Sequence, residues 1–255
     1  MIRWISMMFL ATVGQFAQSA TTAELMSAKI DVNDKASLQR GAKIYMNYCS
    51  GCHSLKYLRY NRMAKDLGLT RFDGEIDKPL LVNNLIFSQE PIHSPIRVAM
   101  PAVDSRQWFG VVPPDLSLET RIRGVDWVYT YLKSFYRDQS RPFGSNNVLV
   151  PGVAMPNVLE PLQGEQIAVK KRQTFDFGGE TREQEVISHL LIVKDGGMTQ
   201  HQFDQTLDDL VNFLAYAAEP IKSERLRLGW FVMLFLVVLL VVAYLLKKTY
   251  WARIK

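Results

Sequence analysis

Apolar residues recur at helical spacing in three stretches of the chain and run without interruption in a fourth. Over residues 34–48, Leu38, Gly41, Ala42 and Tyr45 share one face, and Asp34 stands where an N-cap belongs, so a helix is predicted there. Val125, Val128, Tyr129 and Leu132 form a second stripe that predicts a helix over about 124–136. A third helix is expected over about 199–218, with Pro220 marking its end. Residues 70–118 are rich in Pro and Gly and weakly periodic, which predicts long ordered loops with short elements. Residues 137–164 return to that chemistry, with Pro142, Gly144, Pro151, Gly152, Pro156 and Pro161. Residues 166–169 and 185–193 read as strands flanking a polar, glycine-containing stretch, the pattern of a hairpin. There is no internal repeat and no low-complexity tract. The expected fold is mostly α with a small β-hairpin insertion, and its unusually long loops are of the kind that wrap something.

The fourth stretch, residues 228–246, runs nineteen positions without a charge. At the helical rise that is roughly 28 Å, close to the hydrocarbon thickness of a bilayer. A buried core helix would also be apolar all round, but Trp230, Tyr250 and Trp251 near the two ends suit interfacial anchors, so a single membrane span is predicted. At the other end Arg3 precedes a mostly apolar run over residues 4–13, and residues 17–20 offer small side chains for processing. Residues 1–20 therefore read as a secretory signal peptide cleaved near Ser19 or Ala20, with an uncleaved anchor as the alternative. The expected order is signal peptide, exported domain over 21–221, span, and an inside tail over 247–255. Lys222, Arg225 and Arg227 on the near side of the span nearly balance Lys247, Lys248, Arg253 and Lys255 on the far side. Export therefore decides the orientation rather than the positive-inside count.

Charge is informative through its distribution. The formal net charge is +5, yet residues 222–255 carry seven Lys and Arg against Glu224 alone. The rest of the chain is close to neutral, so no basic patch asks for a phosphate backbone and nucleic-acid binding is excluded as a first hypothesis. With 48% apolar and 22% charged residues, intrinsic disorder is excluded as well. The span holds no ionisable residue and cannot by itself move protons or bind a quinone's polar groups.

Cys49 and Cys52 are the only cysteines, and His53 follows at once. On a helical turn positions i, i+3 and i+4 project from one side, so two thiols and an imidazole face one object. A single haem c meets that geometry: its vinyl groups form thioethers with Cys49 and Cys52, and its iron takes His53. A structural disulfide leaves His53 unexplained. A thioredoxin-like dithiol wants a strand before the motif, where a helix is predicted. Zinc needs a further thiolate or histidine, and His93, His189 and His201 are not in paired spacing. For a sixth ligand, position removes all methionines but Met100, Met155 and Met198. Met155 lies in a loop between Pro151 and Pro156, and Met100 precedes Pro101, so both remain candidates.

From about residue 36 onward the chain resembles the cytochrome c1 family. The resemblance rests on residues 40–62 around CSGCHS, on PPDLS at 113–117, on residues 151–156, and on FLAYAAEP at 213–220 running into the anchor. It implies a c-type cytochrome domain of proteobacterial type, anchored by one C-terminal transmembrane helix in a bacterial inner membrane, with the haem domain in the periplasm. It also implies His53 and Met155 as axial ligands and Arg123 at a haem propionate, with neighbouring Arg121 as its rival. Tyr45 would pack the first helix on the last soluble one. The implied work is electron transfer from a Rieske iron–sulfur protein to a cytochrome c, beside cytochrome b in the ubiquinol–cytochrome c reductase complex, with no substrate chemistry of its own. Three alternatives remain: an anchored cytochrome c of a terminal oxidase, a membrane-anchored thiol–disulfide oxidoreductase using Cys49 and Cys52, and a pentacoordinate haem sensor. The resemblance says little about residues 163–200.

Overall fold

The structure, a computed structural model, describes residues 24–177 and 180–252. The expected signal peptide lies outside these residues, as do the last three of the tail. Helix α1, Lys35–Ile44, starts where Asp34 accepts hydrogen bonds from the Ala36 and Ser37 amides. The helical path continues beyond α1 as a π-helical turn, Tyr45–Cys49, which delivers the chain into the Cys-Ser-Gly-Cys-His motif. Strand β1, Leu55–Arg59, and helix α2, Tyr60–Asp66, follow. The loop-rich stretch then holds α3, Lys78–Leu85, β2, Pro95–Ile96, paired with β1, and α4, Ala102–Phe109. Helix α5, Glu119–Arg123, turns at Gly124 into α6, Val125–Lys133.

Helix α6 stops three residues short of the expected boundary. Phe135–Arg137 leaves it as strand β3 and pairs antiparallel with β4, Ser145–Asn147, which buries Phe135. After the short helix α7, Glu160–Gln163, come β5, Gly164–Phe177, and β6, Glu180–Asp195. The expected hairpin is there but far longer than its apolar runs, because the ladder continues through the polar stretch between them. Arg172 lies opposite Glu185 and Thr174 opposite Glu183, so cross-strand polar pairs sustain the ribbon where apolar alternation stops. The base of the ribbon closes tightly. A Cβ on Gly164, whose φ is +98°, would stand 2.3 Å from the Lys194 carbonyl oxygen.

Helix α8, Gln200–Ala218, opens with a capping box between Thr199 and Gln202. It crosses α1 at the centre of the core. Leu38, Ala42 and Tyr45 from the first segment join Leu207, Leu210, Val211, Phe213 and Leu214 of α8 in one buried cluster. Tyr45 and Phe213 meet with ring centroids 5.7 Å apart, the contact expected of Tyr45. Arg40 forks onto Asp209 at 2.6 and 2.9 Å, and Asn212 Nδ2 donates to Ser37 Oγ at 2.9 Å and to the Asp31 carbonyl at 2.7 Å. The segment before α1 straps both neighbours. The Met26 amide donates to Thr130, that of Ala28 to Asp126 and that of Lys29 to Asp208. Helix α9, Lys222–Trp251, then leaves the domain with no residue buried against it. At the helical rise its 30 residues extend about 45 Å, enough for a bilayer core and its headgroup layers.

Helices α1 and α8 come close at Gly41, where a Cβ would stand 2.0 Å from the Asp209 carbonyl oxygen and 2.7 Å from Phe213 Cβ. Both obstacles are fixed parts of α8, so Gly41→Ala forces the helices apart and is expected to cost ~3 kcal/mol. Thermal melting of the full chain in detergent, side by side with the unaltered protein, measures the loss.

Candidate functional site

The π turn ends on Cys49, which is buried, and the next turn closes on its carbonyl. The Cys52 amide donates to it at 3.0 Å and the His53 amide at 2.9 Å. Cys52 and His53 are half-buried and, with Cys49, line the same cleft. Tyr45 secures this segment from the core, its hydroxyl donating to the His53 carbonyl at 2.7 Å.

The imidazole is oriented by the PPDLS stretch. His53 Nδ1 lies 2.7 Å from the Pro114 carbonyl oxygen. That oxygen can only accept, so Nδ1 carries a proton, and in the neutral ring Nε2 then keeps its lone pair. Burial pushes the imidazole below its ordinary range against the opposing pull of the Pro114 carbonyl, so the ring is held as the neutral base. The same stretch is stitched along β1. Leu116 N donates to the Ser54 carbonyl at 2.9 Å, Lys56 N to Asp115 Oδ2 at 3.0 Å, and Tyr57 N to Ser117 Oγ at 3.2 Å. This is the physical content of the motif: Asp115 and Ser117 dock the loop that carries the Pro114 carbonyl.

A second loop, running from β4 to α7, brings Met155. Its prolines are obvious in the sequence, but the groups that hold it are Asn146 and Asn147, which sequence reasoning passed over. Asn147 is fully buried. Its Oδ1 accepts from the Leu149 amide at 2.9 Å and the Val150 amide at 3.2 Å, and its Nδ2 donates to the Tyr131 carbonyl at 2.8 Å. Asn146 Oδ1 accepts from the Gly152 amide at 2.8 Å, and Arg141 donates to the Gly152 carbonyl at 2.6 Å. Adjacent asparagines before a Pro-Gly turn were the available signal, because Asn side chains bond to backbone two or three residues on.

Both loops face one cleft of about 1220 Å³, counting its open mouth, with mostly apolar walls from α4, α6, α8 and the Met155 loop. Met155 lines it, and the Tyr131 hydroxyl lies 3.4 Å from its sulfur. Met100 and Met198 are not among the lining residues, and Met198 instead meets Thr206 of α8. Arg123, though exposed like Arg121, lines the cleft, paired with Glu119 and stacked 4.3 Å over the Trp127 ring, whereas Arg121 is outside the lining. Burial pushes the Cys49 thiol up to about 12 and raises that of Cys52 as well. Among the described residues no three His, Cys, Asp or Glu side chains converge on one point, so the donor set does not suit zinc. Two thiols on one turn, an imidazole tied at Nδ1 and a thioether in one apolar cleft do suit a covalently attached haem.

A model of the Cytochrome C1 family matches residues 26–78 and 102–254. The match runs through the β5–β6 ribbon and leaves out residues 79–101, the segment that contains Met100. Cytochrome c1 of Allochromatium vinosum is 53% identical over 227 residues, covering 89% of this chain and 88% of that protein. A protein of Nitrosomonas europaea described as ammonia monooxygenase gamma subunit is 38% identical over 254 residues, covering 100% of this chain and 99% of its own length. Cytochrome c1 of Rhodospirillum rubrum is 27% identical over 239 residues, covering 87% and 83%. With the haem-binding motif, the apolar cleft and the long C-terminal apolar helix in place, these matches establish that the chain belongs to the cytochrome c1 family, electron-transport proteins that carry a covalently bound haem c.

Proposed function

We propose that Cys49 and Cys52 hold the haem by thioethers, that His53 and Met155 are its axial ligands, and that Arg123 pairs with a propionate. In this reading the chain takes single electrons from a Rieske iron–sulfur protein and hands them to a cytochrome c. It does so as the c1 subunit of the ubiquinol–cytochrome c reductase complex, beside cytochrome b. The observation that carries the reading is the tie between His53 Nδ1 and the Pro114 carbonyl, which leaves Nε2 as the free base in a cleft shared with both thiols and Met155.

A bound haem supplies a one-electron iron couple. The protein's part is to keep its own groups still while charge changes. His53 is oriented through Pro114, and the Met155 loop is held by buried amides, so neither ligand needs to move. A thioether favours the reduced state, and the apolar walls oppose the added positive charge of the oxidised one. Arg123 presents a fork at the cleft edge that suits a carboxylate, steadied by Glu119 and Trp127.

Helix α9 supports a single-span anchor. We assign residues 228–246 to the bilayer, 21–221 to the periplasm and 247–255 to the cytoplasm, with 1–20 as signal peptide. Quinol and proton chemistry then belong to the partner subunit, because residues 228–246 contain no ionisable group. The dithiol alternative is disfavoured by Cys49, since burial pushes its thiol up to about 12 while an attacking cysteine needs a stabilised thiolate.

The full chain, matured in a host that attaches haem, is expected to show a sharp c-type α band in its reduced-minus-oxidised spectrum, and the band survives acid–acetone extraction. Purified from membranes of its own host, it is expected to bring cytochrome b and an iron–sulfur protein. A colourless protein with reversibly oxidised thiols would support the dithiol reading. Recovery with a terminal oxidase or a monooxygenase would keep the haem site and reassign the complex.

Two substitutions probe the sixth ligand. Met155→Leu is expected to make the reduced protein bind carbon monoxide, which the unaltered protein does not. Asn147→Ala strands three backbone groups and is expected to lower stability by about 2 kcal/mol. It also loosens the Met155 loop, and slow carbon monoxide binding reports that opening.

A further inference from the structure

Resting on Met155 as the sixth ligand, we infer that the Tyr131 hydroxyl is a positioning group for the Met155 sulfur, donating a hydrogen bond that orients the thioether and raises the reduction potential. The contact is built from both sides. Tyr131 Oη lies 3.4 Å from Met155 Sδ, and among the described residues this sulfur is the hydroxyl's hydrogen-bond partner. The ring has little freedom to leave it. It stacks on Trp127 at 5.1 Å with planes 8° apart, and meets Phe135 edge-on at 5.2 Å. Its own carbonyl accepts from Asn147, the residue that pins the start of the Met155 loop, so donor and acceptor are referenced to one buried side chain.

The chemistry follows from the two lone pairs of a thioether. One can bind iron while the other accepts a hydrogen bond. Donation from a phenol draws electron density from sulfur and weakens it as a donor. Oxidised iron, which depends more on ligand donation, loses more than reduced iron, so the potential rises. A wall position that only needed filling would be served by a leucine or phenylalanine. Placing a phenol there leaves a hydroxyl that must find a partner in an apolar cleft, and the partner is the sulfur.

The test is Tyr131→Phe in the haem-loaded full chain, which keeps the ring stack and removes only the hydroxyl. The far-red sulfur-to-iron charge-transfer band of the oxidised protein and the midpoint potential are read together, with thermal stability as control. The expected result is a retained band and an equilibrium shifted about threefold to tenfold toward the oxidised form, a fall of roughly 30–60 mV. The melting temperature is expected to stay near that of the unaltered protein, because a purely structural role would move stability and leave the potential alone. An unchanged or higher potential with the band in place overturns the proposal. Absence of the band from the unaltered protein removes Met155 as a ligand, and the proposal falls with that reading.

Discussion

The close approach of α1 to α8 at Gly41 is the constraint on which the site depends. The helix that ends in Cys49 can reach the cleft only because the Asp209 carbonyl occupies the space a side chain at residue 41 would fill. The crossing is locked by Arg40 on Asp209, by Asn212 on Ser37, and by Tyr45 against Phe213. Tyr45 then reaches from that core to the His53 carbonyl, so core packing and ligand position are linked by one hydroxyl. The π turn Tyr45–Cys49 then carries the chain from α1 into the motif.

The two candidate iron ligands are secured by the same device used twice. A loop carries the functional group, and side chains with short stems bind that loop's backbone. Asp115 and Ser117 fasten the Pro114 carbonyl that orients His53, and Asn146 and Asn147 fasten the turn that presents Met155. Leu116, Met155 and Val158 pack these loops on the core, and the side-chain bonds to backbone add rigidity to that packing. This gives the long loops a purpose: they form two walls of a cleft that helices alone would not enclose. Rigid walls also serve electron transfer, where any rearrangement between redox states slows the step.

Much of this was legible in the sequence, for identifiable reasons. The cysteine–histidine motif is readable because covalent attachment fixes its spacing. The three soluble helices are readable because each has one buried face. The ribbon of β5 and β6 was underestimated because residues 170–174 and 180–185 are polar, so apolar alternation lapses there while the ladder continues. Met155 and Met100 were indistinguishable as residues before prolines. Which of them the cleft contains depends on how distant segments pack, and only Met155 lines it. Arg123 and Arg121 differ by half a helical turn, and the short α5 brings the former to the cleft edge. The asparagines behind the Met155 loop went unnoticed because their effect is entirely on backbone, leaving no hydrophobic pattern.

The convergence of His53 and Met155 on one iron is the central claim, and X-ray absorption at the iron edge of the haem-loaded full chain tests it most directly. The account predicts a sulfur at bonding distance that disappears in Met155→Leu and persists in Met100→Leu. A sulfur that survives Met155→Leu, or none in the unaltered protein, would contradict it.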